Sequence, residues 1–458
     1  MLAYRLFRAF LRMLLDVFYR QIEVVGLEHV PNDGPVIFAG NHPNSLNDPM
    51  LIIARSSRVV HFMAKDTLFK SVFMRFFLHN LGAVAVARKT DHAEGGGDNA
   101  AAFDAVFGIL GEGRAMGIFP EGLSHDEAQL SKLKTGAARI ALGLAAKRKD
   151  LTVRVVPVGL VYVHPKKFRS RVLVQFGPPI AIDDAWREAY AKDEKAAVRQ
   201  LTQDLDRAMR GLTVNAEDWE TVRVLDGVRR LYQPNIITLE QRIELTRRFN
   251  TVYPTVKDDP TVKAIYARVE VWLDSLRSAG LSERDLDDGI GRFGLVTRVT
   301  GHLLLMFLWL PLAIPGMVLF IPLLLTIRIA GPRVSPRRDV IATTKLVLGM
   351  VLTFMLFGAI GFVAFLWKGL LAAAIAMLVA FLSFHATLRV LERGTAMRRL
   401  MTTLIRLFSL RRELEALRQE RTELRLVVAE AVERFRPAEM TPMFPAEKPM
   451  FDASDNLG

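Results

Sequence analysis

Apolar positions crowd into three long runs in the C-terminal half of the chain. Leu303–Ile327 carries no charged residue and is rich in Leu, Ile and Phe; Leu346–Trp367 and Gly369–Leu388 repeat the pattern, with Lys368 between them. Each is about 20 residues or longer, the length that crosses a bilayer as a helix. Pro311, Pro315, Gly316 and Pro322 interrupt the first run. Proline removes a backbone donor, so this run is predicted to turn back as a re-entrant hairpin, and the next two to form a helical hairpin. That arrangement puts the basic clusters at Arg292 and Arg298, at Arg328–Lys345 and at Arg389–Arg399 on the cytoplasmic face and leaves Lys368 facing outward. The membrane region is thus predicted over 299–390, making the chain an integral membrane protein with its N-terminal α/β domain cytoplasmic.

At the N-terminus, Leu2, Leu6, Phe7, Phe10, Leu14, Val17 and Phe18 recur at helical spacing among Arg5, Arg8, Arg12 and Arg20. Residues 1–25 read as a helix lying in a membrane interface, its arginines on acidic headgroups. Packing on the protein's own domain is the alternative. Asp16 breaks the apolar run and no small-residue cleavage site follows, so a secretory signal peptide is not predicted. From 26 to 215 the pattern switches to short strands alternating with helices, an α/β domain. The predicted strands are Val36–Ala39, Val59–Met63, Ala83–Val86, Ala115–Phe119, Val153–Gly159 and Val172–Phe176. A charged helical region covers 216–298. Over 391–436, apolar residues at Leu407, Leu410, Leu414, Leu417, Leu424 and Val428 step by threes and fours or multiples of them, with Arg421 filling one slot. This gives either a coiled coil, which would support a homodimer, or a helix packed within the chain. The Pro- and Met-rich tail, 437–458, is predicted to be disordered.

Composition narrows the function. The 458 residues allow about three modules. With no cysteine, thiolate zinc sites and Cys nucleophiles are excluded. A net charge of +13 calls for an anionic partner: nucleic acid, acidic lipid or a phosphorylated substrate. Five Trp and seven Tyr make poor stacking platforms, and nucleic acid is not favoured.

Candidate chemistry lies in the α/β domain. Asn41-His42-Pro43-Asn44-Ser45-Leu46-Asn47-Asp48 follows a strand, so the imidazole sits where such sheets place their sites. A neutral His can take a proton from a hydroxyl, and Asp48 is spaced to hold its other ring nitrogen. The strand Ala83–Val86 delivers Arg88 and Lys89, and guanidinium suits a phosphate. Phe119-Pro120-Glu121-Gly122-Leu123-Ser124-His125 presents a carboxylate and a hydroxyl on a tight turn. Lys132-Leu133-Lys134-Thr135-Gly136 opens a helix with lysines, without P-loop spacing. Ser124-His125 lacks the Gly-x-Ser-x-Gly elbow of a serine hydrolase.

In this order the blocks resemble the glycerolipid acyltransferase superfamily, which includes glycerol-3-phosphate and 1-acylglycerol-3-phosphate acyltransferases. The resemblance covers about Val24 to Pro179. Five residues separate His42 from Asp48 where the usual block has four, and Leu123 replaces the usual Thr or Ser. Both the spacing and the long C-terminal extension resemble a larger subgroup of glycerol-3-phosphate-type enzymes. The resemblance implies His42 as general base, Asp48 as its partner, Arg88 and Lys134 on the acceptor phosphate, and Asn41, Glu121, Gly122 and Ser124 around the acceptor. It implies acyl-CoA or acyl carrier protein as donor, a phosphorylated glycerol acceptor, membrane phospholipids around the protein, and neither metal nor other cofactor. Dihydroxyacetone phosphate, a lysophospholipid or an amino-acid lipid are alternative acceptors; a non-enzymatic membrane scaffold is the alternative class.

Overall fold

The structure is a computed structural model. It describes residues 2–70, 75, 78, 82–86, 100–234, 237–279, 281, 286, 292–409 and 411–444. The chain divides into two compact units. One comprises Met1–Asp218 with Arg328–Met350, the other Trp219–Ile327 with Val351–Gly458.

The first unit is built on a mixed sheet. Its strands are β1 (Gln21–Val25), β2 (Val36–Gly40), β3 (Val60–Lys65), β4 (Val84–Val86), β5 (Ala115–Ile118), β6 (Val153–Tyr162), β7 (Arg171–Phe176) and β8 (Ile180–Ile182). They lie in the order β1-β7-β6-β2-β5-β3-β4, with β8 also on β6. β2, at the centre, pairs in parallel with both β5 and β6. Every residue of β2 is buried, as expected for a parallel strand covered on both faces. Its side chains alternate accordingly. Val36 and Phe38 join Leu11, Leu15, Leu51 and Ile52 from helices α1 (Leu2–Phe18) and α2 (Asn47–Arg55). Ile37 and Ala39 join Val106, Ile140 and Leu201 from α3 (Ala100–Gly111), α4 (Gly136–Lys147) and α6 (Glu194–Arg210) on the other face; α5 (Asp184–Lys192) precedes α6. All six predicted strands are present with shifted ends. β1, β8 and α2 are additional.

The N-terminal helix departs from the interfacial expectation. Tyr4, Leu11, Leu15 and Phe18 of α1 are buried in the core of its own domain, leaving Leu6 and Met13 exposed. Arg8 and Arg12 donate to the carbonyls of Ser56 and Ala54 at the end of α2, where unpaired carbonyls attract cations. The same periodicity serves a membrane or a sheet, and here the sheet takes it.

In the second unit, α7 (Trp219–Tyr232), α8 (Leu239–Val256), α9 (Pro260–Ser278) and α12 (Arg411–Phe435) form a helical bundle. Thr238 and Gln241 close a capping box on α8, and Asp259 caps α9 ahead of Pro260. The heptad-like seam of α12 is spent inside the chain: Leu424 and Val428 pack with Val224, Val269 and Trp272. The predicted coiled coil, and a dimer through it, therefore loses its apolar face to the bundle.

Among the described residues, two helices are long and apolar enough to cross a membrane. α10 (Arg292–Val334) runs as one helix through Leu303–Ile327, prolines included. Thr387 donates to the Ala313 carbonyl at 3.3 Å. α11 (Ile341–Ser409) reverses at Gly369, where φ is +79°, and Gly361 meets Met377 across the reversal. It therefore folds back on itself as two antiparallel arms. Between α10 and α11, Ala342 and Leu346 belong to the core of the first unit, and Lys345 Nζ donates to the Lys166 carbonyl at 2.9 Å.

Candidate active site

β2 and β5 are parallel neighbours, so their carboxyl ends lie side by side. The loops that follow carry Asn41-His42 and Phe119-Pro120-Glu121. The loop after β2 is fastened on both flanks. Toward β6, the Asn41 side chain donates to the Leu160 carbonyl at 3.0 Å and accepts from the Leu160 N–H at 2.7 Å. Toward β5, the His42 N–H donates to Glu121 Oε1 at 2.8 Å, and the Ser45 N–H to Ser124 Oγ at 3.0 Å. Ser45 itself is held at φ +50°, a left-handed conformation in which a non-glycine residue is strained.

The chain then enters α2, whose first turn returns Asp48 to the loop. Asp48 is fully buried, and its Oδ2 lies 2.8 Å from His42 Nδ1. Oδ2 also accepts from the Asn44 N–H at 2.7 Å, and Oδ1 from the Tyr162 hydroxyl at 2.5 Å. Burial pushes the Asp48 carboxyl above its ordinary range; the bonds from His42, Tyr162 and Asn44 oppose that shift. Holding Nδ1 as the donor leaves His42 Nε2 as the basic nitrogen. Phe119 stacks on the imidazole at 4.0 Å and 7°, fixing the plane of the ring.

Glu121 is buried and fully engaged. Its Oε2 accepts from the Ser131 N–H at 2.9 Å and pairs with His125 Nε2. It therefore ties three loop segments together. The His125 imidazole is raised above its ordinary value by this bond, with burial opposing. Ser124 bridges loops, and His125 bonds Glu121 and Ser131, so the two residues do not form a nucleophilic pair. Gly122 sits at φ +76°, and a Cβ there would run into the Lys134 side chain. Lys134 is exposed, draped over this glycine, with its N–H on the Pro120 carbonyl at 2.7 Å.

His42, Asp48, Asn41, Glu121, Gly122, Ser124 and Lys134 thus come together, and Arg88 lies outside the described residues. Sequence reasoning missed Tyr162, Asn44 and Phe119. Phe119 stood inside a motif as a strand residue; Tyr162 lies 114 residues from Asp48 with no local signal. Among the described residues, no group of three or more His, Asp or Glu is placed to hold a metal.

Comparisons with known proteins point to one family. Residues 21–161 match the Acyltransferase domain family, and residues 224–440 match the Glycerol-3-phosphate acyltransferase 2 C-terminal domain. Glycerol-3-phosphate O-acyltransferases 2 and 1 of Saccharomyces cerevisiae are 31% and 32% identical over 277 residues, 57% and 55% of this chain. An uncharacterized acyltransferase of Schizosaccharomyces pombe is 25% identical over 450 residues, 76% of this chain and 66% of its own length. The crystal structure of a 1-acyl-sn-glycerophosphate acyltransferase from Thermotoga maritima overlaps 46% of this chain and 78% of its own, at 20% identity and a TM-score of 0.33. The chain spans 37% and 36% of the lengths of the two Saccharomyces enzymes.

Proposed function

We propose that this chain, which belongs to the glycerolipid acyltransferase superfamily, moves a fatty acyl group from a thioester to a hydroxyl of glycerol-3-phosphate or 1-acylglycerol-3-phosphate at a membrane surface. The observation that carries this reading is the 2.8 Å bond between His42 Nδ1 and the fully buried Asp48. His42 Nε2 takes the proton of the acceptor hydroxyl as its oxygen attacks the thioester carbonyl. The C–S bond breaks, and the departing thiolate recovers the proton from the imidazolium. Asp48 stabilises the positive ring between the two events. No covalent enzyme intermediate is required.

Lys134, exposed beside the Gly122 turn, and Arg88 are the proposed grips on the acceptor phosphate. The donor is acyl-CoA or acyl carrier protein. α10 and α11 would hold the enzyme where its lipid product partitions, with the catalytic unit on the cytoplasmic side. Full-length protein is assayed with radiolabelled acyl-CoA against glycerol-3-phosphate, 1-acylglycerol-3-phosphate, dihydroxyacetone phosphate and neutral lysolipids. Acylation of the phosphorylated glycerols, abolished in His42→Ala, is expected. Acyl transfer to the neutral lysolipids alone would overturn the acceptor assignment.

A further inference from the structure

The carboxylate of Asp48 has two oxygens with different tasks. Oδ2 faces His42 and the Asn44 N–H; Oδ1 points away and takes the Tyr162 hydroxyl at 2.5 Å. Tyr162 is the last residue of β6, the strand to which Asn41 is pinned through Leu160. The strand that steadies one end of the His42 loop therefore also delivers the hydroxyl behind Asp48.

Behind Tyr162 stands Tyr19, the first residue after α1, with ring centroids 5.9 Å apart. The Tyr19 hydroxyl accepts from Asn47 Nδ2 at 2.9 Å and from Asn44 Nδ2 at 3.4 Å. A phenol has one proton to give. Tyr162 gives its proton to Asp48. Burial pushes both phenols up, so both keep their protons at neutral pH. Tyr162 is thus a buried, protonated donor to Asp48, with the Tyr19 ring packed beside it.

We propose that Tyr162, backed by Tyr19, is a positioning residue for the His42–Asp48 pair. It fixes the rotation of the carboxylate so that Oδ2 faces the imidazole, and it supplies a donor that keeps the buried group ionised. The titratable groups facing Asp48 are His42, Tyr162 and Tyr19. This proposal rests on His42 acting as the base.

Tyr162→Phe keeps the ring and removes only the oxygen. With acyl-CoA and glycerol-3-phosphate as substrates for the full chain, kcat is expected to fall by about tenfold to a hundredfold, the effect of one bond to a charged group, with both KM values changing little. With one donor gone, Asp48 protonates more easily, and the acidic limb of the pH–rate profile moves up by about one unit. In an Asp48→Asn background, Tyr162→Phe should cost nothing further. If His42→Ala retains normal turnover, the reading of the site fails and takes this proposal with it. If His42→Ala is inactive while Tyr162→Phe keeps its kcat and its acidic limb, only the proposal is overturned. A Tyr162→Phe loss that leaves the acidic limb in place and adds in full to Asp48→Asn also overturns it, reducing Tyr162 to packing.

Discussion

Asp48 is held in its charged form against burial, and that tension sets what substitution there will do. A carboxyl pushed up on folding favours the folded state when protonated, and that favour is lost as pH rises through the raised value. At neutral pH the charge is a burden on stability, carried for the sake of the imidazole. Asp48→Asn should therefore leave the melting temperature at pH 7 little changed while turnover drops severely. His42→Ala should cut turnover by at least about a hundredfold, again with little loss of stability. Radiolabel transfer and thermal melts on the same preparations check both. His125 runs the opposite way. Its bond to Glu121 raises the imidazole above the ordinary 6.5, so the charged ring stabilises the loop below that pH. The benefit disappears as pH rises through the elevated value. The melting temperature should therefore fall between about pH 6 and pH 8, and His125→Gln should flatten the dependence. The His–Asp pair was legible because its two members lie six residues apart around one strand end, a local relation. The roles of Glu121 and Ser124 were legible only as a motif. Their acceptors face loop N–H groups rather than an open pocket, which depends on how two strand ends sit together.

Single elements show the limit of periodicity more plainly. β2 reads correctly because Val36 to Ala39 is a continuous apolar run bounded by Pro35 and Gly40, too short for a helix and suited to a strand covered on both faces. β1 escaped because Gln21-Ile22-Glu23 alternates weakly, and because its partner, β7, is about 150 residues away. β8 is three residues long. α2 escaped because its apolar face, Leu51 to Ala54, follows directly on the loop chemistry and contains no cap signal. α1 and α12 were found as amphipathic helices, but an apolar stripe does not name its partner. In α1 the partner is the domain itself, and this has a measurable consequence. Leu15 is fully buried in the core cluster. Leu15→Ala should destabilise the protein by about 2–5 kcal/mol, the usual cost of such a cavity, as read by denaturant or thermal unfolding. Leu6, at 63% exposed, makes the control: Leu6→Ala should leave stability within about 0.5 kcal/mol. Equal effects at the two positions would remove α1 from the core and return it to the membrane interface.

At the scale of the whole chain, the question is which side of the membrane each segment occupies, and chain parity makes a prediction. The first arm of α11, Ile341 to Lys368, is about 40 Å long at 1.5 Å per residue, enough to cross a hydrocarbon core of about 30 Å. After the reversal at Gly369 the second arm returns, so α11 begins and ends on one face. α12 then packs into the bundle with α7 and α9, and Arg421 donates to the Leu286 carbonyl at 3.3 Å. If both arms of α11 cross the bilayer, Leu286 is expected on the face where α11 starts, and α10 begins only six positions later. α10 ends at Val334, seven residues before Ile341. Both ends of α10 are then expected on the same face, although its sequence is long enough to span, and a helix so placed would dip into the bilayer and come back. α10 runs antiparallel to the second arm: His302, Ala313 and Gly316 meet Arg393, Thr387 and Ser383 in reverse order, and Phe320 reaches Phe357 of the first arm and Phe384 of the second. Each proline of α10 removes one rung of its ladder, and a dip would bend there. The chain has no cysteine, so single cysteines report without background. An impermeant thiol reagent applied outside intact cells should label a cysteine at Lys368 and miss one at Ser335 or Leu286. Outside labelling at Leu286 with protection at Ser335 would make α10 a true span and refute the dip.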